Sequence, residues 1–372
     1  MEVFKIKGVH IDGVVACVPE NRIDNETSLR EMYGDEATLI MESTGIKARY
    51  LANPGTSSSD LCIACAEELM KSTGTGAEEI GGIVFVTFTP DRLMPFNAAI
   101  VQDKLGVSKE IPSFDISLAC SGYAYGLYVA SMFAKGCGKK VLLLDGDIQS
   151  AYMSQYDKST VPVMADAGSA TLVSPDGSDV EWKFTFYTDG TGRTSLMIPA
   201  AGSASPIKTD DLEYKTFEDG GKRRNTDIYM DGFAIFRFVA SDVSKWLKKF
   251  LEETGESAET IDSFVPHQAN MYMIKKLAKK LKFDWDSNTW QSGDAVGNSA
   301  SATVPVTIAF DNEKKLKSEK TNRVLISGFG GGLSASAGII TLDPNAYYSF
   351  FQYEGKNEAD NMAEKTESRL NE

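Results

Sequence analysis

Histidine and cysteine are both scarce in this chain of 372 residues. Its two histidines, His10 and His267, are too few for a multi-histidine metal site, so no metal is expected. Any chemistry that needs an imidazole falls to one of these two residues. The sparse, odd-numbered cysteines favour free thiols in a reducing compartment, and hence a cytoplasmic location, over a disulfide framework. The cysteines are Cys17, Cys62, Cys65, Cys120 and Cys137.

Long apolar runs and an excess of positive charge are also missing. No stretch approaches the roughly 18 consecutive apolar residues of a transmembrane helix. The N-terminal stretch MEVFKIKGVHIDGVVACVPE alternates apolar and polar side chains, which predicts a strand rather than a signal peptide. The net charge of −14 argues against nucleic acid or an anionic membrane surface as the main partner.

Strand-like and helix-like segments alternate along the chain and predict an α/β fold. Apolar strand patterns such as KVLLLDGD follow helical patterns such as GYAYGLYVASMFAKG, and the order recurs in the second half. We predict an N-terminal half over 1–185, a C-terminal half over 186–345 and a polar tail over 346–372. The segment 190–227 is rich in Gly, Ser and charge and is interpreted as the connection between the halves.

Cys120 lies where the strand pattern DISLAC gives way to the helix pattern SGYAYGLYVASMF. The N-terminus of a helix presents unpaired N–H groups and the positive end of the helix dipole, both of which favour a thiolate. This placement predicts a nucleophile. A buried cysteine that only fills space is equally consistent with the local pattern.

Two further motifs place polar side chains beside a strand end and a turn. His267 in VPHQAN follows a strand, and α/β proteins place their chemistry at the carboxyl edge of the sheet. Asn298 in AVGNSASATVP follows a glycine. Each has a structural alternative, His267 as a hydrogen-bonded residue at a strand end and Asn298 as a turn or cap residue. His10, within a strand pattern, is interpreted as structural.

The glycine run GFGGGLSASAG, residues 328–338, superficially matches a dinucleotide-binding fingerprint. A strand pattern rather than a helix pattern follows it, so we interpret the glycines as allowing backbone N–H groups to approach a reacting carbonyl. Cys62 and Cys65 have the spacing of a redox motif but lie in a helix pattern, which favours helix packing. Asp145 and Asp147 are interpreted as a turn after a strand.

Taken together, these motifs resemble the β-ketoacyl-acyl-carrier-protein synthase III family of the thiolase superfamily. STGIKARYLA, TPDRLMPFNAA, DISLACSGY, VPHQAN, GNSAS and GFGGGLS occur in the family's order, and the resemblance spans residues 5–342. It implies a duplicated five-layer α-β-α-β-α sandwich that is usually a homodimer. It also implies a catalytic triad of Cys120, His267 and Asn298, an oxyanion position at Gly331, and Phe329 beside the cysteine.

The reaction that this resemblance implies is a decarboxylating condensation. Cys120 would take the acyl group of a thioester primer, and malonyl on acyl-carrier protein would then lose carbon dioxide. His267 and Asn298 would donate hydrogen bonds to the malonyl thioester oxygen, and the carbanion would attack the acyl-cysteine to give a 3-oxoacyl thioester. CoA or acyl-carrier-protein thioesters would be the substrates, with no bound cofactor.

A lysine-rich helix pattern over 270–282 is the predicted docking surface for acidic acyl-carrier protein. Its apolar face consists of Met271, Ile274, Leu277, Ala278 and Leu281. The lysines on the other face include Lys275, Lys276, Lys279 and Lys280. The structural alternative is an ordinary solvated face of a surface helix.

Four positions depart from the family pattern. Leu39 and Ser43 stand where well-known members carry a tryptophan and an arginine near CoA, and Tyr272 replaces an arginine. Met94 occupies the position that reaches across the dimer into the partner's acyl pocket. These departures leave open whether CoA or a carrier protein delivers the primer.

Three other functions stay in competition at this stage. A specialised relative would transfer acyl groups to oxygen or nitrogen, or condense without decarboxylation, in secondary metabolism or glycan biosynthesis. A non-catalytic partner subunit of a condensing complex ranks lower, because such partners typically lose the cysteine. A nicotinamide-dependent oxidoreductase ranks lowest.

Overall fold

The computed structural model describes residues 1–218, 220–316 and 320–355. Its strands are β1 (Phe4–Lys7), β2 (Val9–Pro19), β3 (Asn21–Asp24), β4 (Ala48–Leu51), β5 (Ile80–Val86), β6 (Ser113–Ile116), β7 (Lys140–Asp147), β8 (Ala167–Pro175), β9 (Glu181–Thr188), β10 (Leu196–Met197), β11 (Lys215–Thr216), β12 (Lys222–Arg223), β13 (Tyr229–Met230), β14 (Ser263–Pro266), β15 (Asn322–Gly330), β16 (Ser334–Leu342) and β17 (Tyr347–Tyr353). Its α-helices are α1 (Asn25–Tyr33), α2 (Glu36–Thr44), α3 (Ser58–Thr73), α4 (Asn97–Lys104), α5 (Gly122–Cys137), α6 (Gly232–Arg237), α7 (Ser244–Thr254), α8 (Met271–Leu281), α9 (Gly293–Val296) and α10 (Thr303–Lys315). A π-helical segment, Phe238–Val243, joins α6 to α7. No helix in the described part of the chain is long and apolar enough to cross a membrane.

Two large sheets among the described strands are built on the same plan. The first has the order β17-β2-β8-β7-β5-β6, and the second has the order β1-β9-β16-β15-β14. Within them, β2-β8-β7-β5 and β9-β16-β15-β14 share the same strand directions, two antiparallel pairings followed by a parallel one. This recurrence confirms the duplication predicted from the two halves of the sequence.

Helices lie between the two sheets and on both outer faces. α5 and α10 pack in the middle, where Leu127 and Ile308 join Leu143 of one sheet and Ile326 of the other in a single apolar cluster. α3 covers the outer face of the first sheet, and α7 and α8 cover the outer face of the second. The layers form the predicted α-β-α-β-α sandwich of thiolase type.

Close packing of α5 on the first sheet determines where its N-terminus lies. β7 is apolar and buried because helices cover both faces of this sheet. A Cβ added at Gly122 would lie 2.4 Å from Val86, and one added at Gly126 would lie 2.6 Å from Leu143. Glycine at these two positions therefore lets α5 lie directly on the sheet, with its first turn just after β6.

The strands at the two ends of the described chain exchange sheets: β1 joins the second sheet and β17 joins the first. β1 pairs with β9 in the second sheet, while β17 pairs in parallel with β2 in the first. The predicted boundary at 185/186 also falls inside β9, which already belongs to the second sheet. The predicted polar tail over 346–372 is wrong in its first part, because the aromatic segment YYSFFQY (residues 347–353) adds a strand. Residues 356–372 lie outside the described residues.

Candidate active site

Cys120 lies two residues before α5, at the helix N-terminus that the sequence predicted, and its side chain is buried. Burial raises the pKa of the Cys120 thiol to about 12, and the nearby charge of Asp147 acts in the same direction. The predicted resting thiolate is therefore wrong, because the desolvation of a buried anion outweighs the helix end. Cys120 is a thiol that loses its proton only to a base.

The glycine run of β15 passes directly against Cys120. A Cβ added at Gly328 would lie 2.4 Å from the Cys120 carbonyl oxygen, and one added at Gly330 would lie 2.9 Å from Cys120 Sγ. β16 follows the run, so the segment forms a hairpin and not the strand-to-helix turn of a dinucleotide site. Within the described residues, the backbone N–H groups of Cys120 and Gly331 donate to no other protein group and are available to an oxyanion.

His267 follows β14, where its backbone N–H donates to the Ser327 carbonyl at 2.7 Å. Its Nδ1 lies 2.6 Å from the Thr303 hydroxyl oxygen, and its ring meets Phe329 edge to face at 5.4 Å. Burial lowers the pKa of His267 to about 3, so the imidazole is neutral at physiological pH. A neutral imidazole can accept a proton at one nitrogen and donate from the other.

Asn298 follows α9, and its backbone is bound on both sides to the segment that precedes β8. Its backbone N–H donates to the Val163 carbonyl, and its carbonyl accepts from the Ala165 N–H, both at 2.8 Å. Its Oδ1 accepts from the Ala300 N–H at 3.0 Å. Because the side-chain oxygen is occupied in this way, the Nδ2 amide is the group left to donate to a substrate.

Asp147 supports this loop and was missed by the sequence analysis. Its carboxylate accepts from the N–H and hydroxyl of Ser301, at 3.0 and 2.6 Å, and from the Thr87 hydroxyl at 2.9 Å. Asp145 and Asp147 are the last buried residues of β7 and do not form the predicted turn. A charged residue inside the apolar pattern KVLLLDGD was the signal for it, because a buried carboxylate needs partners.

A cavity of about 510 Å³ opens beside the cysteine. Cys120, His267, Asn298, Phe329 and Gly331 all line it. The structure therefore brings together around one space the triad and the two pocket residues that the sequence resemblance assigned. Two neutral hydrogen-bonding side chains, a thiol and free backbone N–H groups suit acyl transfer through a tetrahedral intermediate.

The segment predicted as a plain connection, residues 190–227, contributes to the wall of this cavity. Leu196 and Ile198 supply apolar surface beside Ile228, which follows the segment, and β10 within the segment pairs with β13 just after it. Arg223 anchors it to the core through an ion pair with Asp157 at 3.1 Å, in which the side chains are 2% and 1% exposed. The apolar wall matches an acyl chain.

The remaining predicted site residues lie at the surface. Met94 is 85% exposed and lies outside the cavity of its own chain, while Leu39 is 70% exposed. Ser43 lines the cavity, and so does Lys158, which is paired with Glu36 at 2.5 Å. The position lacking the family's arginine thus lines the same cavity as a lysine from another segment.

α8 has the apolar face and the lysine-rich face that its sequence predicted. Its apolar residues pack on the second sheet, and its N-cap Asn270 and the buried Met273 of its first turn line the cavity. Tyr272 is half exposed, with the Lys276 ammonium 4.2 Å above its ring. The predicted docking lysines are all exposed along the same helix: Lys275, Lys276, Lys279 and Lys280.

Three residues that the sequence analysis interpreted as structural, Cys62, Cys65 and His10, do not line the cavity. Cys62 and Cys65 are buried in α3, as helix packing predicts, and no cluster of metal-ligating side chains occurs in residues 1–218, 220–316 and 320–355. His10 lies in β2 with its Nε2 2.6 Å from Asp12, far from the cavity. None of them contributes to the candidate site.

Comparison with known proteins supports one family. The models of 3-oxoacyl-[acyl-carrier-protein] synthase III and of its C-terminal region match residues 114–190 and 251–342. The β-ketoacyl-[acyl-carrier-protein] synthase III of Syntrophomonas wolfei is 34% identical over 329 residues, which cover 88% of this chain and 95% of that protein. The Clostridium novyi enzyme of the same name is 32% identical over 334 residues, with 89% and 98% covered.

A solved structure agrees with these sequences. The crystal structure of a 3-oxoacyl-(acyl-carrier protein) synthase from Burkholderia xenovorans LB400 matches with a TM-score of 0.87 at 28% identity, covering 95% of this chain and 99% of that chain. The thiolase-type sandwich and the matched sequences define a condensing acyltransferase. The chain belongs to the β-ketoacyl-[acyl-carrier-protein] synthase III family, as its sequence predicted.

Proposed function

We propose that this protein condenses an acyl thioester primer with malonyl-acyl-carrier protein, with loss of carbon dioxide, to give a 3-oxoacyl thioester. The single observation that carries the proposal is the convergence of Cys120, His267, Asn298 and Gly331 on one cavity with an apolar wall. Membership of the family supplies the reaction class, and the complete triad argues against a non-catalytic partner subunit.

The first stage transfers the acyl group to Cys120. Burial keeps Cys120 and His267 neutral at rest, so the thiol proton passes to the imidazole as sulfur attacks the primer's carbonyl carbon. The N–H groups of Cys120 and Gly331 hold the oxyanion. When the intermediate collapses, the carbon–sulfur bond of the primer breaks, and the departing thiolate takes the proton from His267.

The second stage forms the carbanion. The Asn298 Nδ2 and a His267 N–H donate to the malonyl thioester oxygen, so negative charge collects there as the carbon–carbon bond to the carboxylate breaks. The enolate carbon then attacks the acyl-cysteine and expels the Cys120 thiolate, which takes a proton from water to restore the thiol. Two neutral donors on one oxygen explain why the site holds an imidazole and an amide rather than a carboxylate base.

Thr303 is the positioning residue for His267. Its hydroxyl lies 2.6 Å from Nδ1 and 3.1 Å from the Ala300 carbonyl oxygen. It can accept from Nδ1–H while donating to Ala300, or donate to an unprotonated Nδ1. A backbone N–H could only donate to Nδ1. The Thr303 hydroxyl can both donate and accept, so it suits a His267 that accepts a proton in the first stage and donates a hydrogen bond in the second.

Substituting Thr303→Val should lower condensation about tenfold or more, because Nδ1 loses its buried partner. Thr303→Ser should restore activity to within a few-fold. The ¹⁵N chemical shifts of His267 give a readout that a purely structural role would not move, and two histidines make the spectrum easy to assign. Unchanged His267 shifts in Thr303→Val would contradict the assignment.

The partners form part of the same proposal. Acyl-carrier protein docks on the four lysines of α8, whose first turn lines the cavity, because opposite charge steers association. The primer arrives on CoA or on a carrier protein, and the exposed Leu39 favours the carrier protein, because it offers no aromatic ring to adenine.

The enzyme is a homodimer in which exposed Met94 reaches the partner's acyl pocket. Free cysteines fit a reducing cytoplasm, and no bound cofactor is needed.

Product analysis tests the reaction. Incubation with malonyl-acyl-carrier protein and a panel of acyl-CoA and acyl-carrier-protein primers should give a 3-oxoacyl-carrier protein and an equal amount of carbon dioxide, measured by intact mass and by trapped ¹⁴CO₂. A 3-oxoacyl product without carbon dioxide release, or an ester or amide product, would replace the proposal with the specialised acyltransferase.

A further inference from the structure

Arg49 is a buried cation without a counter-ion. It lies in β4, is 2% exposed, and no carboxylate of the described residues forms an ion pair with it. Its Nε donates to the Asn25 side-chain oxygen at 2.7 Å, and its Nη1 lies 3.5 Å from the Met164 carbonyl oxygen. Arg223 is buried to the same degree but is paired with Asp157. Buried charges are normally paired, so the unpaired Arg49 needs an explanation.

One carboxylate, Asp166, acts on Arg49 without forming a direct ion pair with it. Asp166 attracts Arg49 across a distance, but its two carboxylate oxygens already accept from the Ala52 N–H at 2.7 Å and from the Ser150 N–H at 3.0 Å. Desolvation lowers the pKa of Arg49 to about 10, which still leaves the guanidinium charged at neutral pH.

Arg49 lines a second cavity, of about 460 Å³, that shares no lining residue with the catalytic one. We call it the Arg49 cavity. Much of its wall is apolar and comes from Ile23, Met32, Leu51, Met153 and Val161. Tyr33 also lines it, and the buried Tyr33 hydroxyl has no hydrogen-bond partner among the described residues. Burial raises the pKa of Tyr33 to about 12, so the group stays a neutral donor.

We propose that the Arg49 cavity binds a monocarboxylate with an apolar tail, such as a medium-chain fatty acid. The carboxylate meets the Arg49 guanidinium and accepts a hydrogen bond from Tyr33, while the tail covers the apolar wall. Arg49 is the one cation among the described lining residues, beside the neutral polar Ser28, Gln155 and Tyr156, and a single cation matches a single negative charge better than a phosphate dianion. Binding here does not depend on the reaction at Cys120.

The side chain of Arg49 also contacts the catalytic loop. Its Cγ would lie 3.2 Å from a Cβ added at Gly297, the residue before Asn298. Its Nη1 contact, Met164, lies between the two residues whose backbone groups hold Asn298. A carboxylate bound to Arg49 would therefore be linked to the loop of the catalytic Asn298 through the Arg49 side chain alone.

Calorimetric titration with decanoate tests the proposal on full-length protein whose Cys120 has been alkylated. Decanoate should bind, and decanol, with the same tail and no charge, should bind at least about tenfold more weakly. Inorganic phosphate alone should not bind. Equal affinity for decanoate and decanol, or tight binding of phosphate, would overturn the proposal.

Matched variants of an exposed cavity residue identify the site without disturbing Arg49. Met32→Glu places a carboxylate at the cavity and should weaken decanoate binding at least about tenfold, whereas Met32→Gln should bind like the parent. Tyr33→Phe should weaken binding about threefold to tenfold through loss of one hydrogen bond. Thermal unfolding checks that each variant is folded. If folded Met32→Glu and Met32→Gln bind decanoate equally, the ligand lies elsewhere and the proposal fails.

Discussion

Cys120→Ala should abolish formation of a covalent acyl-enzyme with every thioester donor. The alanine removes the thiol of Cys120, which among the described residues is the only cysteine that lines the cavity with His267 and Asn298. Intact mass after incubation with acyl-CoAs and acyl-carrier proteins measures the adduct directly. The parent should gain the mass of one acyl group, and the variant should gain none.

Cys137→Ala is the matched control for this experiment. Cys137 is an exposed free thiol at the end of α5, whereas Cys17, Cys62 and Cys65 are buried in the outer core. Its loss should leave the adduct unchanged. An adduct that survives in Cys120→Ala and disappears in Cys137→Ala would identify the exposed Cys137 as the acylated residue and would contradict the proposed mechanism.

The donor panel also separates the ways in which the primer is carried. An adduct from acyl-carrier protein but not from CoA would agree with the exposed Leu39, which offers no aromatic ring to an adenine. An adduct from CoA thioesters would instead assign recognition to other groups at the cavity mouth, such as Lys158. No adduct from either donor on the parent would favour a non-catalytic partner subunit.

Local patterns in the sequence were sufficient for the elements that frame the site. A strand with a run of apolar residues, such as β7, and a helix with one apolar face, such as α8, can each be predicted to be buried from a short window of residues. The motifs around Cys120, His267 and Asn298 occur at strand ends and turns, but only their resemblance to the family's motifs implied that they form one triad, because Cys120 follows a strand of the first sheet and His267 a strand of the second. The same logic identified the glycines of β15, because their role is close approach to Cys120.

Features that depend on distant contacts were not accessible in this way. β1 and β17 each join the sheet of the other half, a pairing that no local pattern encodes. The pKa of Cys120 was predicted in the wrong direction because a helix N-terminus is visible in the sequence, whereas complete desolvation is a property of the folded core. Asp147 was read as a turn because its partners, Thr87 and Ser301, come from two remote segments.

Asn298→Asp should separate the two chemical stages. The substitution keeps an oxygen to accept from the Ala300 N–H but replaces the Nδ2 donor with a negative charge. Loss of one donor to a developing oxyanion costs about 10²- to 10³-fold in rate, and the added charge opposes the enolate further. Carbon dioxide release from malonyl-acyl-carrier protein should therefore fall by at least that factor.

Acylation of Cys120 should persist in the same variant, within about threefold of the parent, because its oxyanion is held by backbone N–H groups and not by Asn298. Ser299→Ala is the neighbouring control, since the buried Ser299 hydroxyl has no partner among the described residues and its removal should leave both stages intact. Single-turnover acylation followed by intact mass and ¹⁴CO₂ release from malonyl-acyl-carrier protein give the two rates separately. An equal loss of both rates in Asn298→Asp would mean that the residue maintains the whole cavity and does not serve the enolate. A loss confined to decarboxylation would assign the Asn298 amide to the step in which charge collects on the malonyl thioester oxygen, as the free Nδ2 donor predicts.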